Sequence, residues 1–210
     1  MFAMHNTVIN TSKGKICFEG PVTKEYLCEL TMGKNMSHFR SPEKQIEALK
    51  TITGLPHGMI FIARHENEII GYVTFHYPDK YSRWSKHPRV LEMGGIEISP
   101  DWRDCHVGST LMKYSFANKI LDQFIVITLE YAWHWDLKGT GLSIWGYQDM
   151  LSRLFGKVGL VLVTTDDPDI TEHPANVMMG KIGEKVGQQD RTLFENMRFQ
   201  KNYGKAVNTL

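Results

Sequence analysis

Three observations in this 210-residue sequence predict an α/β (α+β) fold, a sheet of strands flanked by helices. Strand-like and helix-like segments alternate from one end to the other, with no internal repeat, low-complexity tract or linker. Two β-rich runs, 59–64 and 69–77, are joined by His65-Glu66-Asn67-Glu68, which predicts a hairpin. An apolar run over 91–99 breaks at Pro100, passes through Arg103 and Gly108, and enters an amphipathic helix.

Taken in order, residues 15–19 read as a short strand and 23–31 as a helix. Ser41 then offers an N-cap with Pro42 at the first helical position; Ile46, Leu49 and Ile52 recur at helical spacing, and Gly54 stops the helix. The hairpin and the strand 91–99 follow. After Arg103, the residues Val107, Leu111, Met112, Phe116 and Ile120 fall on one stripe that should pack on the sheet. Residues 160–164 read as a buried strand, Pro174 as the entry to a helix, and 194–199 as a last strand.

The composition suits one globular domain over 1–210, with 42% hydrophobic residues and a core large enough to need no disulfide. A net charge of +1 leaves no nucleic-acid footprint, and no segment reaches the roughly 18 apolar residues of a membrane span. Residues 1–15 lack a hydrophobic signal core, and Cys17, Cys28 and Cys105 are odd in number and unpaired by spacing; both point to the cytoplasm. The nine histidines include no His-x-x-x-His and no Cys–His cluster of zinc spacing, so no metal site is expected.

The turn after the 91–99 strand carries the chemistry. A strand that breaks at Pro and runs into a helix N-terminus leaves backbone N–H groups unpaired, and these, with the positive end of the helix dipole, cradle an anion. Arg103 adds a cation whose fork matches phosphate, and Ser109 and Thr110 add hydroxyls.

The run Ile96-Glu97-Ile98-Ser99-Pro100-Asp101-Trp102-Arg103, followed five residues on by Gly108, resembles the strand and pyrophosphate loop of the Gcn5-related N-acetyltransferase (GNAT) superfamily. The family loop is Arg/Gln-x-x-Gly-x-Gly/Ala. Here His106 stands where the first Gly usually does, a position that calls for a left-handed backbone His can enter at moderate strain. Ile62-Ala63-Arg64, Ile70-Gly71-Tyr72-Val73-Thr74, Trp133-His134-Trp135-Asp136-Leu137-Lys138-Gly139 and Thr165-Asp166-Asp167-Pro168 extend the resemblance to the acetoin-utilization members of that superfamily. It implies a mixed, mostly antiparallel central sheet flanked by helices, with an aromatic-rich insertion at about 124–157 between the cofactor helix and the next strand. It implies acetyl-CoA as donor, held by Ile96 and Ile98 through the pantetheine arm and by Arg103, Asp104, Cys105, His106, Val107, Gly108 and Ser109 at the phosphates. It also implies a protein lysine acetyltransferase that modifies and inactivates acetyl-CoA synthetase. Homo-oligomerisation stays open.

Direct attack by a lysine amine needs a group to take its proton. Two carboxylates on the central strand are candidate bases, Glu97 near the loop and Glu92 at the offset from Arg103 where some relatives of the superfamily carry theirs. Five positions apart they would face opposite ways, but a bulge at Gly94-Gly95 would put both on one face. An Ile98 amide could serve as an oxyanion donor. The superfamily pattern Asn-x-x-Ala-x-x-x-Tyr-x-x-x-Gly, counted from Asn176 as a further cofactor contact, puts Gly183 where the thiolate's acid would be. Tyr131, Tyr147, Tyr203 or solvent must then substitute. Within the insertion, Tyr131, Trp133, Trp135, Trp145 and Tyr147 read either as a local core or as a wall of an acceptor site. His134 and Asp136 are read as structural, and Cys105, inside the cradle, is not expected to carry an acyl group. Three functions stay in play: a protein lysine acetyltransferase, the same chemistry on a small amine, and a non-catalytic acyl-CoA-responsive binder.

Overall fold

A computed structural model describes residues 6–200. The chain divides into two compact units, one of residues up to His76 with Met93–Asn118, the other of Tyr77–Glu92 with Lys119 onward.

In the first unit β1 (Thr7–Thr11), β2 (Gly14–Glu19), β4 (Met59–His65) and β5 (Glu68–His76) follow one another as antiparallel neighbours, with the later residues of β6 (Val90–Ile98) beyond β5. The short β3 (Thr31–Met32) pairs parallel to the start of β5. Alternation decides which helix each strand residue meets. Ile60, Ile62 and Tyr72 join Leu27 of α1 (Lys24–Cys28) and Leu49 of α2 (Pro42–Thr53) in one buried cluster. Phe61 and Phe75 stack edge-on against Tyr114 and Phe116 of α3 (Val107–Phe116). The helix expected over 23–31 is only α1, because Thr31 leaves it to bond β5 at Glu68.

In the second unit the start of β6 pairs parallel with β7 (Ile125–Glu130), registering Glu92 on Ile127. The antiparallel β9 (Val177–Ile182) and β8 (Val161–Leu162) continue the order. α4 (Leu137–Thr140), α5 (Ile144–Gly156), α6 (Pro168–Thr171) and α7 (Gln188–Met197) complete it. Trp84, Val90, Ile125, Ile127 and Phe194 form its core.

Four expectations are corrected in this unit. The segment read as an insertion from 124 begins with β7, itself a sheet strand, so the extra material starts after Glu130. Pro174 opens no helix: the chain turns and enters β9, flanked by β7 and β8. Residues 194–199 are not a strand, since Phe194 and Met197 are buried at i,i+3 spacing within α7. Residues 160–164 hold only the two-residue edge strand β8, and Val161 and Leu162 are both exposed rather than buried.

Arg83 closes the unit's C-terminal end. It donates to Asp166 at 2.6 Å and to the Met197 carbonyl at 3.2 Å, while Asp167, buried, accepts from Trp84 Nε1 at 2.8 Å. The Thr165-Asp166-Asp167-Pro168 stretch is thus a polar clasp about the buried Asp167, with both carboxylates bonded. Among the described residues no helix is long and apolar enough to cross a membrane.

Candidate active site

The first unit brings together Ile96, Glu97, Ile98 and the whole 103–109 turn; Glu92 and Asn176 lie in the second unit. Beyond Ile98 the strand ends where the Ser99 amide bonds the Ile70 carbonyl at 2.8 Å. Pro100–Cys105 forms a short 3-10 helix anchored by the buried Trp102, which packs on His65. Asp101 is tied down by Asn35 at 2.8 Å, and its carbonyl accepts from Lys13.

His106 then takes the left-handed backbone the turn requires, φ 56° and ψ 18°, and α3 starts at the next residue. Thr110 is the first amide to bond back along the helix, to the His106 carbonyl at 3.0 Å, so the amides before it have no carbonyl one turn earlier. α3 carries no acidic residue in its first turn to compete for them. Ser109, expected as a donor to a ligand, donates instead to His106 O at 3.0 Å. A Cβ on Gly108 would meet only Ile98 Cγ1, at an ordinary 3.5 Å, so no protein atom demands a glycine there. Gly71 has a different role: a Cβ there would press on Ile98 Cδ1 at 2.7 Å, so its absence lets β6 and α3 close on β5. First-turn amides of this kind suit an anion, and Arg103, half-buried, lies on the same turn.

Glu97 is buried and held at both oxygens. The Tyr72 hydroxyl donates to Oε2 at 2.7 Å and the His38 amide to Oε1 at 3.0 Å. Burial pushes the Tyr72 phenol far above its usual range, and the charge and hydrogen bond of Glu97 push the same way, with Arg40 opposing; the phenol therefore stays a donor. A carboxylate offers about four acceptor positions, so two donors fix Glu97 without saturating it. Sequence reasoning missed both partners. A tyrosine inside an apolar strand signals a buried hydroxyl in need of an acceptor, but nothing in Ser37-His38-Phe39 marks a loop that folds back onto β6.

In the second unit Glu92 is half-buried. The charge of Glu92 reaches both Tyr131 and Glu130. Burial raises the Glu130 carboxyl and Glu92 adds to it; the Thr128 hydroxyl, donating at 2.7 Å, opposes, as does the Trp135 indole, whose N–H completes no hydrogen bond of normal geometry. Asn176 precedes β9 rather than lying on a helix. Its Oδ1 accepts from the Ala132 amide at 2.9 Å and its Nδ2 donates to the Asp169 carbonyl at 3.0 Å, so the helical pattern that pointed to a cofactor contact does not form. The same correction removes Gly183 from the place of an acid: it follows β9, and a Cβ there would run into the Asp122 backbone. Of the substitutes, Tyr147 stacks on Trp135 at 5.3 Å, Tyr131 is half-buried, and Tyr203 lies outside the described residues. The aromatic segment divides: Trp135 is core, whereas Trp133 and Trp145 are more than half exposed. Asp136 accepts from the Gly139 amide as the cap of α4.

Residues 24–119 match the model of the acetyltransferase (GNAT) family. The chain is 42% identical over 201 residues, 95% of its length and 96% of the relative's, to the acetoin utilization protein AcuA of Bacillus subtilis strain 168. It matches the protein of the same name from Bacillus licheniformis to the same extent. The crystal structure of the acetoin utilization protein from Exiguobacterium sibiricum 255-15 superimposes with a TM-score of 0.92 at 39% identity, covering 98% of this chain and 99% of that one.

Proposed function

From the premise that this chain belongs to the GNAT acetyltransferase family, alongside the acetoin utilization proteins, we propose that it is a protein lysine acetyltransferase in which Glu97 is the base. Acetyl-CoA, when bound, supplies the acetyl group as an activated thioester. Its diphosphate would lie on the first-turn amides of α3 with Arg103, and its pantetheine arm along Ile96 and Ile98 as an added strand would.

The observation that carries the reading is the fixed, buried Glu97 on the strand that runs directly into the anion cradle. One continuous segment then supplies both the phosphate seat and an acceptor for the proton that the attacking amine sheds. Nitrogen bonds the carbonyl carbon, the carbon–sulfur bond breaks, and one proton passes from nitrogen toward Glu97 Oε while the thiolate takes one from solvent or a phenol. Tyr72 and the His38 amide hold the carboxylate in place during that transfer.

The finer assignment, a lysine of acetyl-CoA synthetase that is inactivated by acetylation in the cytoplasm, is supported by the likeness to acetoin utilization proteins and by three free cysteines, Cys17, Cys28 and Cys105. Incubating the chain with acetyl-CoA and purified acetyl-CoA synthetase should yield one dominant acetyl-lysine by mass spectrometry, with synthetase activity falling in proportion. Acetylation of small polyamines with none on the synthetase would overturn the protein-acceptor reading. An inhibition that persists in the Glu97→Gln chain without any acetyl-lysine would point to a regulatory binder instead.

A further inference from the structure

Within the first unit, residues 33–38 cross the junction at which β6 gives way to the 3-10 turn, and they are bonded to it at both ends. Asn35 Nδ2 donates to Asp101 Oδ2 at 2.8 Å, and the His38 backbone amide donates to Glu97 Oε1 at 3.0 Å. The earlier residue of the strap meets the later residue of the junction, so the two segments run antiparallel. Between the two bonds lie Met36 and Ser37 on one side and Ile98, Ser99 and Pro100 on the other.

The two sides are not equally anchored. On the junction the Ser99 amide bonds the Ile70 carbonyl at 2.8 Å, Trp102 is buried against His65, and Lys13 reaches the Asp101 carbonyl. The strap is held at Gly33, whose amide bonds the Ile69 carbonyl at 2.9 Å, and at Met36, buried in the cluster with Leu27 and Leu49. Lys34, Asn35, Ser37 and His38 are exposed. The Asn35–Asp101 bond therefore ties an exposed segment to a fixed one. Glu97 depends on that tie. Tyr72 bonds Oε2 and leaves the carboxylate to swing about that contact; a second donor on Oε1 fixes its plane, but only as well as the donor's own backbone is fixed.

We propose that Asn35 is a positioning residue for Glu97: its side chain sets the strap against Asp101, and the strap delivers the His38 amide to Glu97 Oε1. Its effect on acetyl transfer rests on the reading of Glu97 as the base. A base whose oxygen wanders from the attacking amine loses rate although its chemistry is intact.

In the full chain, Asn35→Ala should lower kcat by about three- to tenfold, the scale of one net hydrogen bond, while calorimetric affinity for acetyl-CoA holds within about twofold. A second readout needs no turnover: hydrogen exchange of the His38 amide, followed by NMR, should quicken by a similar factor. Asn35→Asp sets a carboxylate against Asp101 and should do at least as much harm. Combined with Asp101→Asn it again faces a donor with an acceptor, so the swapped pair should return both kcat and His38 exchange toward the parent. Unchanged His38 exchange in Asn35→Ala, or a swapped pair no better than Asn35→Asp alone, would overturn the role. So would an unchanged kcat beside quickened exchange in a chain whose Glu97→Gln variant is slow. Quickened exchange that the swap reverses, with Glu97→Gln still acetylating at the parent's rate, would keep the hold on Glu97 and overturn only its reading as the base.

Discussion

Glu97 and Arg103 sit six positions apart on one strand-turn segment, yet their substitution should separate cleanly. Glu97→Gln keeps the shape and the Tyr72 contact but abolishes a carboxylate base, so kcat should fall by ~10²–10⁴ with acetyl-CoA affinity nearly intact. The loss should shrink at high pH, where more of the acceptor lysine, of pKa about 10.4, is already neutral. Glu92→Gln, measured alongside, decides which carboxylate takes the proton; a rate within tenfold of the parent for both variants would make both structural. Arg103→Ala should do the reverse and weaken acetyl-CoA binding by ~1.5–3 kcal/mol, as for a charge-assisted hydrogen bond, with calorimetry as the readout. Unchanged affinity would remove Arg103 from the phosphate seat.

Elements are set by what their ends must accommodate. The link from the 3-10 turn to α3 passes through His106 at φ 56°, a conformation that costs a side chain of this kind of order 1 kcal/mol. His106→Gly removes that strain, and acetyl-CoA affinity should hold or rise; a clear loss would show that the imidazole itself touches phosphate. At the end of β9 the demand is steric. Gly183 donates its amide to the Phe124 carbonyl at 2.9 Å, and a Cβ would collide with Asp122 backbone, which cannot move as a flexible side chain could. Gly183→Ala should therefore destabilise the chain by ~1–3 kcal/mol in urea melts, the range for forced overpacking, and an unchanged midpoint would contradict the placement.

Across the whole molecule, two buried carboxylates bend the pH–stability curve in opposite directions. Burial alone would raise Glu19, but Arg64, bonding both oxygens at 2.8 and 2.9 Å, and Tyr26 at 2.7 Å bring it below the ordinary range. A lowered folded value means stability that is present above the unfolded carboxylate pKa of about 4.3 and is lost as pH falls through the folded one. Glu130, raised by burial, does the opposite: it favours the fold when protonated and costs stability as pH climbs past its unfolded value. Glu130→Gln should thus raise stability at neutral pH, whereas Glu19→Gln should cost ~3 kcal/mol or more by stranding a partly buried Arg64. Melting temperatures from pH 4 to 8 test both; a Glu130→Gln chain less stable than the parent at pH 7 would contradict the sign. The alternation of elements, the hairpin, α2 between Ser41 and Gly54, and the left-handed turn at His106 were legible in the sequence, because caps, prolines and periodicity act through neighbours along the chain. The order of the last elements was not, since a two-residue edge strand such as β8 and a strand flanked on both sides such as β9 carry no local period, and pairing assigns them. Nor could spacing find the hold of Tyr72 and His38 on Glu97. Those contacts join residues 25 and 59 positions apart, so only the folded backbone brings them within hydrogen-bond range.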